Sequence, residues 1–200
     1  MERNEPEQKK IETIIYGGAF NPPTLAHVAI LNACAGYART SDAESQKEIW
    51  VMPSGDRSDK TIGVETDRRL RYVEAMIADA DAADIRILPV TTELERTCAV
   101  ETYDTVMELE QSHPDRSFTW VFGADSTETM AEWKQGDWLL ENLRMLAVER
   151  AGSSVNPLAK RALALTVPSL AVSSTMVRQR MTNGDSLDDL VSPHVLALLA

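Results

Sequence analysis

The chain has 200 residues, 44% of them apolar and 26% charged, a composition that supports a buried core and excludes a wholly disordered chain. Its 20 Lys and Arg against 31 Asp and Glu leave a net charge of −11, which argues against nucleic acid or an anionic membrane as a general partner. No apolar run reaches the roughly 20 residues of a membrane span, the opening MERNEPEQKK lacks a secretory core, and Cys34 and Cys98 are too few for a disulfide framework or a four-ligand zinc site, so a reduced cytoplasmic setting is expected.

Residues 1–10 read as a mobile polar tail ahead of a single domain over 11–200. Short apolar runs at 13–16, 49–52, 85–90, 118–122, 145–148 and 162–167 read as buried strands, the last Ala/Leu-rich enough to fit a helix as well. Helical patterns lie between them. Residues 24–37 are apolar nearly all round. Residues 65–79 put Leu70, Val73, Met76 and Ile77 on one stripe, with Arg68, Arg69 and Glu74 off it. Residues 101–112 run into Ser112-His113-Pro114, a stop signal. The loop over 53–63 is a polar insertion. This alternation predicts an α/β fold, a doubly wound parallel sheet.

The first strand leads into Gly17-Gly18-Ala19-Phe20-Asn21-Pro22-Pro23-Thr24-Leu25-Ala26-His27. Glycines at a strand end let backbone approach a ligand, proline suits a helix start, and the helix N-terminus offers N–H groups to an anion. Thr24 and His27, three apart, are expected to share a face toward that anion. No Asp, Glu, Lys or Arg occurs from Thr13 to Ala38.

Arg150 to Gly184 contains no Asp or Glu, yet holds Arg150, Lys160, Arg161, Arg178 and Arg180, a positive stretch on an acidic chain. Within it, Ser173-Ser174-Thr175 suits a helix N-cap. Arg178 follows Ser174 by four and Thr175 by three, so hydroxyls and guanidinium can converge on a polyphosphate.

Together these residues resemble the nucleotidylyltransferase superfamily, with its GGxFxPxHxGH-type and ISSTxxR-type loops, and more closely the nicotinate/nicotinamide mononucleotide adenylyltransferases. Glu101-Thr102-Tyr103-Asp104-Thr105-Val106 is similar to that family's YTxDTL segment, Gly123-Ala124-Asp125 with Trp133 to its GAD…W segment, and Val148-Glu149-Arg150-Ala151-Gly152 to its VxRxG turn. Leu190-Val191-Ser192-Pro193 is similar to its closing helix. Ala19 stands where the family usually has Ser or Thr, Asn21 replaces Asp, and Thr24 and Ala26 replace the first His and the Gly of HxGH.

The resemblance implies a Rossmann-like nucleotidylyltransferase fold and adenylyl transfer from ATP, with Mg2+ on its phosphates, to nicotinate mononucleotide, nicotinamide mononucleotide staying open as a second acceptor, in NAD biosynthesis. It implies catalytic roles for His27, Thr24 and Arg178. ATP would be held by Gly17, Gly18, Phe20, Asp125, Ser174, Thr175 and Arg150, with Asp125 readable equally as an N-cap. The mononucleotide would be held by Lys60, Thr102, Trp133 and Lys134, the lysine at 134 favouring an acid over an amide. Trp50 and Trp120 are expected in the core, and Cys34, Cys98, His113 and His194 outside the chemistry. A homo-oligomer stays open. So do two rival readings, a phosphopantetheine adenylyltransferase of the same fold and a nucleotide-binding regulator that has lost catalysis.

Overall fold

Each of the apolar runs becomes a strand: β1 (Ile11–Gly18), β2 (Lys47–Pro53), β3 (Arg86–Pro89), β4 (Arg116–Gly123), β5 (Met145–Val148) and β6 (Ala162–Leu165). The computed structural model describes residues 9–41, 45–55, 64–82, 84–96, 98–99, 101–149 and 153–200. The expectations for residues 1–8, for most of the 53–63 loop including Lys60, and for Arg150 fall outside those residues. The strands form one sheet in the order β3-β2-β1-β4-β5-β6, and all pairs are parallel. The run at 162–167 is settled as strand because β5 offers it a partner edge, with Met145 opposite Ala162 and Val148 opposite Leu165.

Successive strand residues point to opposite faces. Ile14, Tyr16, Ile49, Val51, Val121, Leu146 and Val148 line one face. Ile15, Trp50, Met52, Phe118, Trp120 and Met145 line the other. The first face is covered by α1 (Leu25–Thr40), α2 (Thr66–Ala78), α6 (Ser174–Asn183) and α7 (Pro193–Ala197). The second is covered by α3 (Thr102–Ser112), by α5 (Gly136–Asn142) and by Met130, in the turn between α4 (Ala124–Thr129) and α5. The doubly wound expectation is met, and Trp50 and Trp120 are core residues.

α4 and α5 carried no usable periodicity, being 6 and 7 residues long. What shapes them is a backbone approach: a Cβ on Gly136 would lie 2.1 Å from the Met130 carbonyl oxygen, and Gln135 before it has φ 54°. Only glycine fits the first of these positions.

The stripe predicted for α2 is corrected at one residue. Arg69 was expected off the apolar face, and it is buried at 3% exposure beside Tyr72, Val73 and Met76. Positions i, i+3, i+4 and i+7 share one side of a helix, so residue 69 lies on the inner face by spacing. It is tolerated there because main-chain carbonyls accept its protons: Nε donates to Ala19 O at 3.1 Å and Nη2 to Ser54 O.

A second buried charge lies near the amino end of β2. Glu48 is fully buried, accepts from Trp50 Nε1 at 2.7 Å and from Arg116, and is flanked by Arg86 at 3.5 Å. Arg116 also donates to Thr13 Oγ1 at 3.1 Å and lies over the Trp50 ring.

Candidate functional site

The topology sets the position of the site. β1 lies between β2 and β4, where the strand order reverses, and open parallel sheets take ligands beyond their carboxyl ends at such a point. Gly17 and Gly18 end β1. Tyr16 is in register with Val121, which brings those glycines beside the end of β4 and the following Gly123-Ala124-Asp125. Gly18 is in register with Pro53, and its carbonyl accepts from Ser54 N–H at 2.8 Å.

A Cβ on Gly18 would meet the Phe20 ring at 2.9 Å, so glycine here lets that ring fold back under the loop. Phe20 has φ 45° and is buried, its ring edge-on to Tyr16 at 5.4 Å and to His27 at 5.5 Å. The ring serves the core, and what the loop can present to a ligand is its backbone.

Thr24 and His27 do not share an outward face. Thr24 is the N-cap of α1 and is buried. Its N–H donates to His27 Nδ1 at 3.0 Å, and its hydroxyl lies 2.8 Å from the same nitrogen. Residue 24 precedes the first helical residue, so the three-residue spacing turns the pair toward each other as in a capping box. A nitrogen that accepts from N–H carries no proton, so the imidazole proton is assigned to Nε2 by this bonding. Thr24 thus orients a half-buried His27 whose donor is Nε2.

The second motif closes onto the first. Ser173 caps α6, its side chain accepting from Met176 N–H at 3.2 Å. Ser174 Oγ donates to Pro22 O at 2.8 Å, and Arg178 Nη1 donates to Asn21 O at 2.7 Å. Arg178 Nη2 donates to Thr175 Oγ1 at 3.1 Å. The expectation that Ser174 and Arg178 act on a ligand alone is therefore incomplete, because both also bind the glycine-loop segment. Arg178 and Thr175 remain exposed.

The acid-free stretch does not add up to one positive patch. Lys160 pairs with Glu141 at 2.6 Å, Arg180 pairs with Asp189, and Arg161 donates to Asn142 O at 3.0 Å. The carboxylates come from segments outside the stretch. Among the described cations of that stretch, Arg178 is the one that bonds the glycine-loop segment.

On the other side of β4, Thr102 opens α3, and Trp133 is half-buried with its ring 6.0 Å from Phe122. The two segments meet where Lys134 Nζ donates to Asp104 at 2.6 and 2.8 Å. Lys134 was expected to offer a cation to a ligand, but its ammonium is held by Asp104, which the turn after Trp133 brings alongside. Asp125 is exposed in the first turn of α4, and the N-cap is Gly123 rather than Asp125. A Cβ on Gly123 would lie 2.2 Å from Asp125 Oδ1, so the carboxylate folds back over that glycine.

Two charged residues near the site escaped sequence reasoning. Arg69 reaches the glycine loop from below. Glu93 accepts from Gly55 N–H at 3.3 Å and from Thr105 Oγ1 at 2.9 Å. Nothing in either local pattern marks them, apart from the inner-face spacing of Arg69. Among the described residues no three His, Cys, Asp or Glu side chains gather as a metal site, and no helix is long and apolar enough to cross a membrane.

Residues 15–180 match the cytidylyltransferase-like family. A "Probable nicotinate-nucleotide adenylyltransferase" of Geobacillus thermodenitrificans is 32% identical over 179 residues, covering 88% of this chain and 78% of the relative. A protein of the same name from Exiguobacterium sibiricum is 31% identical over 193 residues, covering 92% of this chain and 94% of the relative. In fold, the chain is similar to the nicotinic acid mononucleotide adenylyltransferase of Plasmodium falciparum complexed with NaAD, with a TM-score of 0.76 at 22% identity over 94% of each chain.

Proposed function

The chain belongs to the cytidylyltransferase-like family, and from that premise we propose that it transfers the adenylyl group of ATP to nicotinate mononucleotide, releasing pyrophosphate and forming the dinucleotide of NAD biosynthesis. The names of its relatives support the reaction. The observation that carries it is the closure of Ser174 and Arg178 onto Asn21 and Pro22, which gathers the glycine loop, His27 and the start of α6 at the switch point of the sheet.

An oxygen of the mononucleotide 5′-phosphate forms the new bond to the α-phosphorus of ATP as the bond to the β-phosphate oxygen breaks. That nucleophile is already anionic, so alignment and stabilisation of spreading charge are what the protein supplies. In this reading His27 Nε2–H and the exposed Arg178 guanidinium donate to the triphosphate, joined by Thr175 and by N–H groups of Gly17, Gly18 and Phe20. Thr24 and Ser174 hold that machinery in shape through His27 Nδ1 and Pro22 O. Asp125 takes a ribose hydroxyl. Trp133 stacks on the pyridine, and Thr102 N–H, at the start of α3, receives its carboxylate. Lys134 neutralises Asp104 beside that carboxylate. Lys60 and Arg150 complete the phosphate contacts.

Mg2+ neutralises phosphate charge when bound, and hard oxygen donors on ATP and water suit it. The same reading places residues 11–200 in one cytoplasmic domain. The test is pyrophosphate release from ATP and Mg2+ against nicotinate mononucleotide, nicotinamide mononucleotide and phosphopantetheine. Preference for nicotinate mononucleotide is expected; release with phosphopantetheine alone, or with none, overturns the proposal.

A further inference from the structure

We propose that Arg69 is a positioning residue for the proposed chemistry: from its buried place on α2 it holds the Ala19–Phe20 peptide so that Phe20 N–H faces the phosphates. This inference rests on the adenylyl-transfer reading above and assigns a role within the same site.

Arg69 is 3% exposed, and two neighbouring donors of its guanidinium serve two different loops. Nε donates to Ala19 O at 3.1 Å and Nη2 to Ser54 O. The second loop is itself anchored. Ser54 N–H donates to Gly18 O at 2.8 Å, and Gly55 N–H donates to Glu93 at 3.3 Å. The Ser54–Gly55 peptide is thus gripped at its oxygen by Arg69 and at its nitrogen by Glu93. Glu93 in turn accepts from Thr105 of α3 at 2.9 Å.

A trans peptide points its C=O and its N–H in opposite directions. Holding Ala19 O toward α2 therefore aims Phe20 N–H away from α2. The loop needs such a constraint. Phe20 sits at φ 45°, a region that a non-glycine residue keeps only when its surroundings impose it. Ala19 also has no hydroxyl with which to meet an anion, so main-chain N–H groups such as that of Phe20 are the donors this turn can offer. A lysine at 69 would bring one ammonium where a planar fork now serves two carbonyls.

The test compares the parent with Arg69→Lys and Arg69→Met. Pyrophosphate affinity is measured by titration calorimetry, nicotinate mononucleotide affinity in parallel, and kcat, KM for ATP and Tm on the same samples. Arg69→Met is expected to lose at least about tenfold in pyrophosphate affinity and in kcat/KM for ATP, the low end for a hydrogen bond to a charged group. Mononucleotide affinity should stay within about threefold, a split that a merely structural role would not produce. Arg69→Lys should recover part of the loss. Complete rescue by lysine, or a folded Arg69→Met with parental pyrophosphate affinity, overturns the proposal.

A measurement on the unmodified protein covers the case in which the variants do not fold. The Phe20 amide resonance should move downfield on adding pyrophosphate; an unresponsive Phe20 amide refutes the assignment. Parent protein inactive toward every mononucleotide would defeat the proposed reaction, while the pyrophosphate titrations and the Phe20 resonance would still decide the role of Arg69.

Discussion

His27→Ala separates the structural contribution that the geometry shows for this ring from the chemical one proposed for it. The structural contribution is the acceptor that Nδ1 provides to Thr24 N–H at 3.0 Å, with the Thr24 hydroxyl 2.8 Å away. Leaving that N–H without its partner costs about 1–3 kcal/mol, and the lower end is expected because removing the half-buried imidazole opens the Thr24 N–H to water. For a chain of this length about 1 kcal/mol lowers Tm by about 2–4 °C. The proposed chemical contribution is the Nε2–H donor, whose ring is held by that same bonding. A fixed donor that acts on charge developing in the transition state contributes about 10²–10³ in kcat, or about 2.7–4 kcal/mol. The variant should therefore remain folded with a small fall in Tm, keep its KM for ATP within a few-fold, and lose kcat by about two to three orders of magnitude. Thr24→Ala is the control. It removes the hydroxyl at 2.8 Å and leaves the imidazole, so it should lose similar stability but only about tenfold in kcat. Steady-state pyrophosphate release and a thermal melt on both variants measure these effects. Parental kcat in His27→Ala, or equal kcat losses in the two variants, would refute the assignment of Nε2 as the donor.

Glu48→Ala strips the buried partner from Arg116 and leaves Trp50 Nε1 without its acceptor, so denaturant unfolding should show a loss of about 3–5 kcal/mol; a kcat of the surviving folded enzyme that falls more than a few-fold would contradict its place near the amino end of β2, away from the site. Burial opposes ionisation of Asp79, but His194, whose main-chain N–H and ring both bond the carboxylate, outweighs it and holds the carboxyl below its ordinary 3.8. A depressed pKa stabilises the fold above the unfolded value and is lost as pH falls through the folded one. Stability of the parent should thus drop steeply below about pH 4, and Asp79→Asn should show a shallower acid limb with lower stability at pH 7; identical acid limbs would remove Asp79 from the account. Burial pushes the Cys34 thiol up to about 12, whereas Cys98 is exposed, so a disulfide reagent at pH 8 should titrate one thiol per native chain and two after unfolding.

Local chemistry made much of this protein readable from its sequence. Ile, Val and aromatic runs bounded by Gly and Pro forecast the strands, a helix cap forecast the start of α6 at Ser173, and the double glycine forecast the end of β1 and the loop that follows it. These signals are carried by neighbours within a few residues, where periodicity and backbone preference act. What the pattern could not hold was the identity of partners brought from elsewhere in the chain. Lys160 and Arg180 looked like part of a positive field until Glu141 and Asp189 arrived from other elements. Lys134 looked available until the turn after Trp133 set it on Asp104. Thr24 looked outward until its place as the N-cap turned it onto His27. Arg69 read as a surface residue until the register of β1 with β2 brought the Ala19 and Ser54 carbonyls over α2. A charge or a hydroxyl is satisfied through space by whichever group lies within about 3 Å, and only the packed sheet and its crossings decide which group that is.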